Sequence, residues 1–179
     1  MRHTVKKWFW AWDFQKEEQW LQQMAAKGLA LVSVGFARYE FEDTQPGEYD
    51  VCLQLLEQNI KHPESVKYIE FLEQTGAEHV GTYGRWIFVR KKRAEGGLQL
   101  FSDYQSRVKQ LSRIIGMIVP VSVANFLIGI SNISLLFTLS GDANAVGLIN
   151  LLLGLLGCFG WYKLSKMKKA LQEQAQIFE

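Results

Sequence analysis

Three tryptophans alternate with other residues in the segment Trp8-Phe9-Trp10-Ala11-Trp12. Indoles at every second position stand on one face of a strand. A desolvated wall of such rings attracts cations through the ring quadrupole and apolar rings through contact. The chemistry on offer is therefore non-covalent capture of a small amphipathic or cationic molecule, and the plainer alternative is core packing against the helices. Arg38 and Arg85 fall at equivalent places in an internal repeat, where two guanidinium groups brought together would grip an anion or a partner's carboxylates. Ion pairing with neighbouring Glu is the competing reading of both.

Covalent and metal chemistry have less to work with. His3, His62 and His79 fall in a terminus, a helix start and a strand, without the HExxH spacing or another ligand pattern. Ser102 and Ser106 have no identifiable His and Asp partners, and no Gly-rich phosphate loop occurs. Cys52 lies in a predicted strand and Cys158 in an apolar stretch, so neither a disulfide framework nor a thiolate site is expected. No cofactor is implied, and the expectation is a protein that is not an enzyme.

The charges are unevenly placed along the 179 residues, which average 48% hydrophobic and 21% charged with a net charge of +2. Residues 1–97 hold 13 Lys/Arg and 14 Asp/Glu, whereas between Ile114 and Tyr162 the only charged residue is Asp142. A polar half is thus joined to a half that water cannot solvate, which argues against a wholly soluble or a disordered chain. The near-balanced polar half lacks the broad basic face of a nucleic-acid binder. Met1–Lys7 is basic, but the apolar run Trp8–Phe14 is short for a signal-peptide core, contains Asp13 and lacks a small-residue cleavage site, so the N-terminus is expected to stay and fold.

Ile114–Leu139 is long enough, at 1.5 Å per residue, to cross a hydrocarbon core of about 30 Å. The turn residues Ser140–Asn144 follow, and Ala145–Tyr162 is long enough for a second crossing. Arg107, Lys109 and Arg113 precede the first span, and Lys163, Lys166, Lys168 and Lys169 follow the second. The positive-inside rule then puts both termini in the cytoplasm, with Trp161 and Tyr162 at the interface. The residues predicted to lie at the membrane surface are Arg113, Trp161, Tyr162, Lys163 and Lys166, and the tail carrying Leu164, Met167 and Leu171 is predicted to lie along an anionic leaflet. Ser122, Asn125, Ser131, Ser134 and Asn150 offer hydrogen bonds across the hairpin or between copies, and Gly147, Gly154 and Gly157 share one face that permits close helix approach.

Two similar sets of elements must position the polar-half residues. A strand is predicted over Val5–Trp12, with Asp13 as N-cap of a helix whose stripe is Trp20, Leu21, Met24 and Ala25 and whose end is Gly28. Strands Leu29–Val34, Ala37–Glu42 and Tyr49–Leu55 follow. A second helix opens at Pro63 and closes at Gly76, before a hairpin of Glu78–Thr82 and Arg85–Arg90. Trp20-Leu21, Met24 and Gly28 match Tyr68-Ile69, Leu72 and Gly76, a period of about 48 residues. With one residue of slippage Ala37-Arg38-Tyr39-Glu40-Phe41 matches Gly84-Arg85-Trp86-Ile87-Phe88. The fold class is α+β: tandem strand-helix-strand-strand repeats forming antiparallel sheet with two helices, followed by a two-helix transmembrane hairpin.

The phrases Trp10-Ala11-Trp12-Asp13-Phe14, Lys16-Glu17-Glu18-Gln19-Trp20-Leu21, Gly35-Phe36-Ala37-Arg38-Tyr39, Pro46-Gly47-Glu48-Tyr49, Tyr68-Ile69-Glu70-Phe71-Leu72 and Gly84-Arg85-Trp86 resemble the bacterial membrane proteins of the domain of unknown function 2812. The resemblance extends over essentially the whole chain and brings no activity or binding residues. It implies genomic neighbours among PadR-type transcriptional regulators, and hence a stress- or ligand-responsive unit. Ala37 departs from the glycine more usual there, which leaves the turn before Arg38 open. The tandem unit is also similar in architecture to gyrase-inhibitory-protein-like effector-binding domains, which implies a cleft for cationic or aromatic molecules that Trp8, Trp10, Trp12, Trp86 and Tyr39 with the Glu40 carboxylate could line.

The domains expected are a cytosolic duplicated head at 1–95, a stem helix at 96–113 after the Gly96-Gly97 hinge, a transmembrane hairpin at 114–163 and an amphipathic tail at 164–179. The run Arg90-Lys91-Lys92-Arg93 is a candidate for contact with anionic headgroups or a solvated strand end. Together these readings predict a plasma-membrane protein with two spans, whose cytoplasmic module senses or binds a small amphipathic or cationic ligand or a partner. Candidate partners are the lipid bilayer, a membrane protein or further copies of the chain, with no nucleic acid. The alternatives are an accessory subunit of a membrane transporter and an unrecognised enzyme.

Overall fold

The computed structural model describes residues 1–98, 104–138 and 144–178. Ser102 and the loop at 140–143 therefore lie outside the described residues. The chain divides into two compact units, Met1–Ser102 and Asp103–Glu179.

The first unit runs β1 (Arg2–Lys6), α1 (Phe14–Ala26), β2 (Leu29–Gly35), β3 (Arg38–Asp43), β4 (Tyr49–Leu55), α2 (Pro63–Gln74), β5 (Glu78–Tyr83) and β6 (Trp86–Lys92). The same strand-helix-strand-strand order occurs twice. It yields two three-stranded antiparallel sheets with the same internal arrangement, β1-β3-β2 and β4-β6-β5. Each helix ends as the residues dictate: Gly28 and Gly76 follow α1 and α2 with φ of +84° and +86°, a region that costs other residues steric strain. At Gly28 a Cβ would also meet the Thr44 carbonyl oxygen at 2.7 Å. Pro63 stands at the first position of α2, where its missing N–H costs nothing, and the His62 imidazole accepts the Glu64 N–H at 3.3 Å.

The repeat is more regular than the sequence match. Gly35 pairs with Arg38 and Tyr83 with Trp86, while bulges fall between Leu31 and Ser33 and between His79 and Gly81. All of these correspond at a constant separation of 48 residues, so the one-residue slippage is corrected. The slip arose in the turns. The left-handed residue is the second turn residue in the first hairpin, Ala37 at φ +50°, and the first in the second hairpin, Gly84 at φ +62°. Aligning those two residues shifts the strands by one position, which exchanges their faces. In the true register Tyr39 and Phe41, packed with Leu21 and Ala25 of α1, correspond to Ile87 and Val89, packed with Leu72 of α2. Trp86 and Phe88 point the other way and join Tyr39, Phe41, Val51 and Leu53 in the larger core.

Edge strands β4, β2 and β5 of the two sheets are covered from within the unit. Leu53 N–H on edge strand β4 donates to the Glu18 carboxylate at 2.8 Å, and the Val51 carbonyl accepts from Gln22 at 3.0 Å, so α1 blunts that edge. The other edges, β2 and β5, lie against each other, close enough that a Cβ on Gly81 would stand 3.3 Å from the Val34 nitrogen. Arg90 ties them. Its guanidinium reaches Glu78 at 2.7 Å, Glu42 at 3.0 Å and the Leu31 carbonyl at 2.9 Å, and lies over the Tyr49 ring at 4.6 Å.

The predicted strand over Val5–Trp12 is corrected. β1 ends at Lys6 opposite Arg38, the first residue of β3, and the last bond of the series is Lys7 N–H to the Ala37 carbonyl at 3.0 Å. Beyond it the chain has no strand to pair with, and Ala11–Asp13 closes a 3-10 turn on the Trp10 carbonyl at 2.7 Å. Asp13 occupies the N-cap position of α1 without a side-chain cap bond and pairs instead with Lys16 at 3.1 Å.

The second unit consists of α3 (Tyr104–Thr138) and α4 (Asn144–Phe178). A Cβ on Gly129 would meet Leu151, one on Gly147 Asn132, one on Gly154 Phe126 and one on Gly157 Ser122, all at under 3.0 Å. Those pairs run in opposite directions, so the helices form an antiparallel hairpin whose seam needs glycine, as expected for 147, 154 and 157 and unforeseen for 129. Ser122 and Asn125 do not bond across that seam; they donate to the Ile118 and Val121 carbonyls of their own helix at 2.7 and 2.8 Å. The tail residues continue the second helix, since α4 runs unbroken from the apolar segment through Lys163 to Phe178. Two stretches, Tyr104–Ile133 and Val146–Gln176, are long and apolar enough to cross a membrane. Only 17% and 22% of their most apolar stretches are buried, so neither helix is enclosed by the described residues of the chain.

Candidate functional site

The segment from Lys7 to Trp12, freed from the ladder, folds across the open end of the first unit and walls a cavity of about 290 Å³. Phe14 and Glu17 of α1 contribute to it, as do the β2-β3 turn with Phe36, the β5-β6 turn with Tyr83, and Tyr39, Trp86 and Phe88 of the strands. Trp12, Phe14, Tyr39 and Phe88 are buried, whereas Trp8, Trp10, Phe36 and Tyr83 are exposed. The expectation that Trp8, Trp10 and Trp12 share a strand face fails, yet the coil brings them into contact. Trp10 stacks on Trp12 with centroids 5.1 Å apart, and Trp8 meets Trp10 edge-on at 5.5 Å. They both wall the cavity and pack against neighbours, so the alternatives of core and ligand wall divide by residue: Trp12 is buried and Trp8 is rim.

The carboxylate in the cavity is Glu17, not Glu40. Tyr39 donates its hydroxyl to Glu17 at 2.5 Å, and no cation among the described residues pairs with that carboxylate. Burial pushes the Glu17 carboxyl above its ordinary range, against the opposing pull of the Tyr39 bond. Burial likewise raises the Tyr39 phenol, and the adjacent Glu17 adds to it. The Glu17 carboxyl thus lies among aromatic rings with one neutral donor and, among the described residues, without a paired cation. Lys7 does not supply it, since its ammonium sits over the Phe9 and Trp20 rings at 5.1 and 4.6 Å.

Neither arginine of the predicted pair lines the cavity. Arg38 binds Glu40 at 2.6 Å, which leaves both outside the cavity lining, and Arg85 donates to the carbonyls of Leu56, at 3.1 Å from Nε, and Glu57. In the 48-residue register Arg38 corresponds to Trp86 and Arg85 to Ala37, so no symmetry brings the two guanidinium groups together. The run at 90–93 is engaged within the unit as well: Lys91 donates to the Thr75 carbonyl at 2.7 Å, Lys92 lies 3.8 Å from Glu48, and Arg93 binds Asp50 at 2.7 Å. Among the described residues no group of three or more His, Cys, Asp or Glu could hold a metal ion.

On the hairpin, Trp161, Tyr162 and Lys166 are exposed, Arg113 and Lys163 half-buried. Ser106 lies on α3, half-buried.

What the sequence reading missed is Glu17, along with Phe14, Phe36, Tyr83 and Phe88. Glu17 was legible only as an acidic residue suited to the first turn of α1. Its i, i+3 relation to Phe14 and i, i+4 relation to Leu21, both buried, was the available signal that it faces inward.

No curated protein and no solved structure matches the chain. The family model described as Protein of unknown function (DUF2812) matches residues 13–123, which includes α1, Glu17, both hairpins and the start of α3, and the chain belongs to that family.

Proposed function

We propose that the first unit is a non-enzymatic binding module for a small amphipathic organic cation, held at a membrane by the α3-α4 hairpin with both termini in the cytoplasm. The observation that carries the reading is Glu17: a desolvated carboxylate, bonded among the described residues only to Tyr39, inside aromatic walls. A cation entering beside it would supply a Coulomb partner in place of the hydration that burial removed and gain contact with ring faces. The size of the cavity, about 290 Å³, favours a ligand with one or two rings. Membrane attachment is supported by the uncharged lengths of both helices and by the clustering of Lys and Arg at the ends away from the connecting loop. A module confined to that layer meets membrane-partitioned cations at raised effective concentration.

The test uses the full chain in nanodiscs, titrated with benzyltrimethylammonium while tryptophan emission is followed. Saturable quenching or a spectral shift is expected, with neopentylbenzene, the neutral isostere, at least about tenfold weaker. Equal responses to the charged and neutral compounds, or none to either, would overturn the reading.

A further inference from the structure

The mouth of the cavity has its own chemistry. Trp8, Trp10, Phe36 and Tyr83 are 51%, 41%, 64% and 46% exposed. Their rings form one continuous patch: Trp8 touches Trp10 at 5.5 Å and Phe36 at 5.2 Å, and Phe36 touches Tyr83 at 5.7 Å. Scattered exposed apolar residues need no explanation, but a contiguous aromatic patch on a folded unit does. Three segments build the mouth, Lys7–Trp12, Gly35–Ala37 and Tyr83–Trp86; they contain Lys7 and Arg85 but no Asp or Glu, and Lys6 and Arg38 flank them. Glu40 offsets Arg38, whereas Arg85 is met by neutral carbonyls and keeps its charge.

We propose that this mouth sits in the headgroup layer of an anionic bilayer, so that the cavity opens toward lipid. Indole and phenol rings with an apolar body and a polar tip favour that layer, and basic residues around them complement its negative surface potential. A second copy of the chain is the poorer occupant, because it would set the same uncompensated cations against each other. The inference rests on the membrane attachment proposed above and not on cation binding. It adds a route: a ligand dissolved in the membrane reaches Glu17 past the rim without crossing bulk water.

The experiment places the full chain carrying Trp161→Phe in nanodiscs of phosphatidylcholine and phosphatidylglycerol, with or without bromine on the acyl carbons nearest the headgroup. Bromolipid is expected to quench a fraction of the emission that disappears in Trp8→Phe/Trp10→Phe and shrinks when phosphatidylglycerol is omitted. Phe36→Trp, which adds a reporter without removing one, should enlarge the quenched fraction. Quenching that is indifferent to Trp8, Trp10 and Phe36→Trp would overturn the proposal, as would two chains per disc with the rim shielded from bromine. Benzyltrimethylammonium titration of the same discs separates the cases, since loss of lipid contact with cation binding intact leaves the proposed function standing.

Discussion

At the scale of single residues, the proposed function makes Glu17 a point where stability and binding oppose each other. Its folded-state pKa lies above the unfolded value, so protonation favours the fold, and that contribution is full below the unfolded pKa and lost as pH rises through the folded one. At neutral pH the ionised group therefore burdens the fold. Glu17→Gln removes the charge while its amide oxygen can still accept the Tyr39 hydroxyl. Its thermal midpoint at pH 7 is expected to equal or exceed that of the parent, with the difference vanishing below about pH 4, while the response to benzyltrimethylammonium falls at least about tenfold. A lowered midpoint at pH 7 would show that the carboxylate is structural. Binding itself needs the ionised form, so affinity in the parent should fall as pH drops through the raised pKa, about tenfold per unit below it, and titrations at stepped pH measure this. Glu40 was the more visible carboxylate in the sequence because it neighbours Tyr39, but neighbours on a strand face opposite ways, and Glu40 goes to Arg38.

At the scale of elements, the two helices, five of the six strands and the duplication were readable, since glycine stops, Pro63 and the apolar periods act locally. The end of β1 was not, because alternation in Val5–Trp12 satisfies the strand pattern while the stop depends on where β3 begins, a non-local fact. The register of the repeat was obscured at one residue, Ala37, which adopts φ +50° without being glycine. Ala37→Gly is expected to raise stability by roughly 0.5–1 kcal/mol, the relief of a left-handed conformation less the added chain entropy. Gly28→Ala should cost more than about 1 kcal/mol, since strain at φ +84° adds to a backbone clash with Thr44. Chemical denaturation of both variants checks the pair of opposite signs, and a destabilised Ala37→Gly would mean the methyl is needed for packing.

At the scale of the whole molecule, the partition into a polar half and an apolar half was the plainest message of the sequence, because long uncharged runs admit few structures. The glycine seam was legible at 147, 154 and 157 by helical spacing, while Gly129 on the other helix needed the pairing itself. Reporters active only in the cytoplasm, fused in turn to each end, are expected to report from both termini, whereas one inserted after Asp142 should not. Signal from that loop reporter would reverse the orientation and with it the placement of the first unit.

The Arg90 clasp has a consequence for how occupancy could be sensed. Prising β2 from β5 would strand a guanidinium and bare two strand edges at once, so the guest proposed above would not enter by parting the duplicated halves. The unladdered coil at 7–12 is the cheaper wall to shift. Occupancy would then be broadcast as a reordering of stacked indoles while the scaffold stands still, a change visible in near-ultraviolet dichroism and silent in scattering.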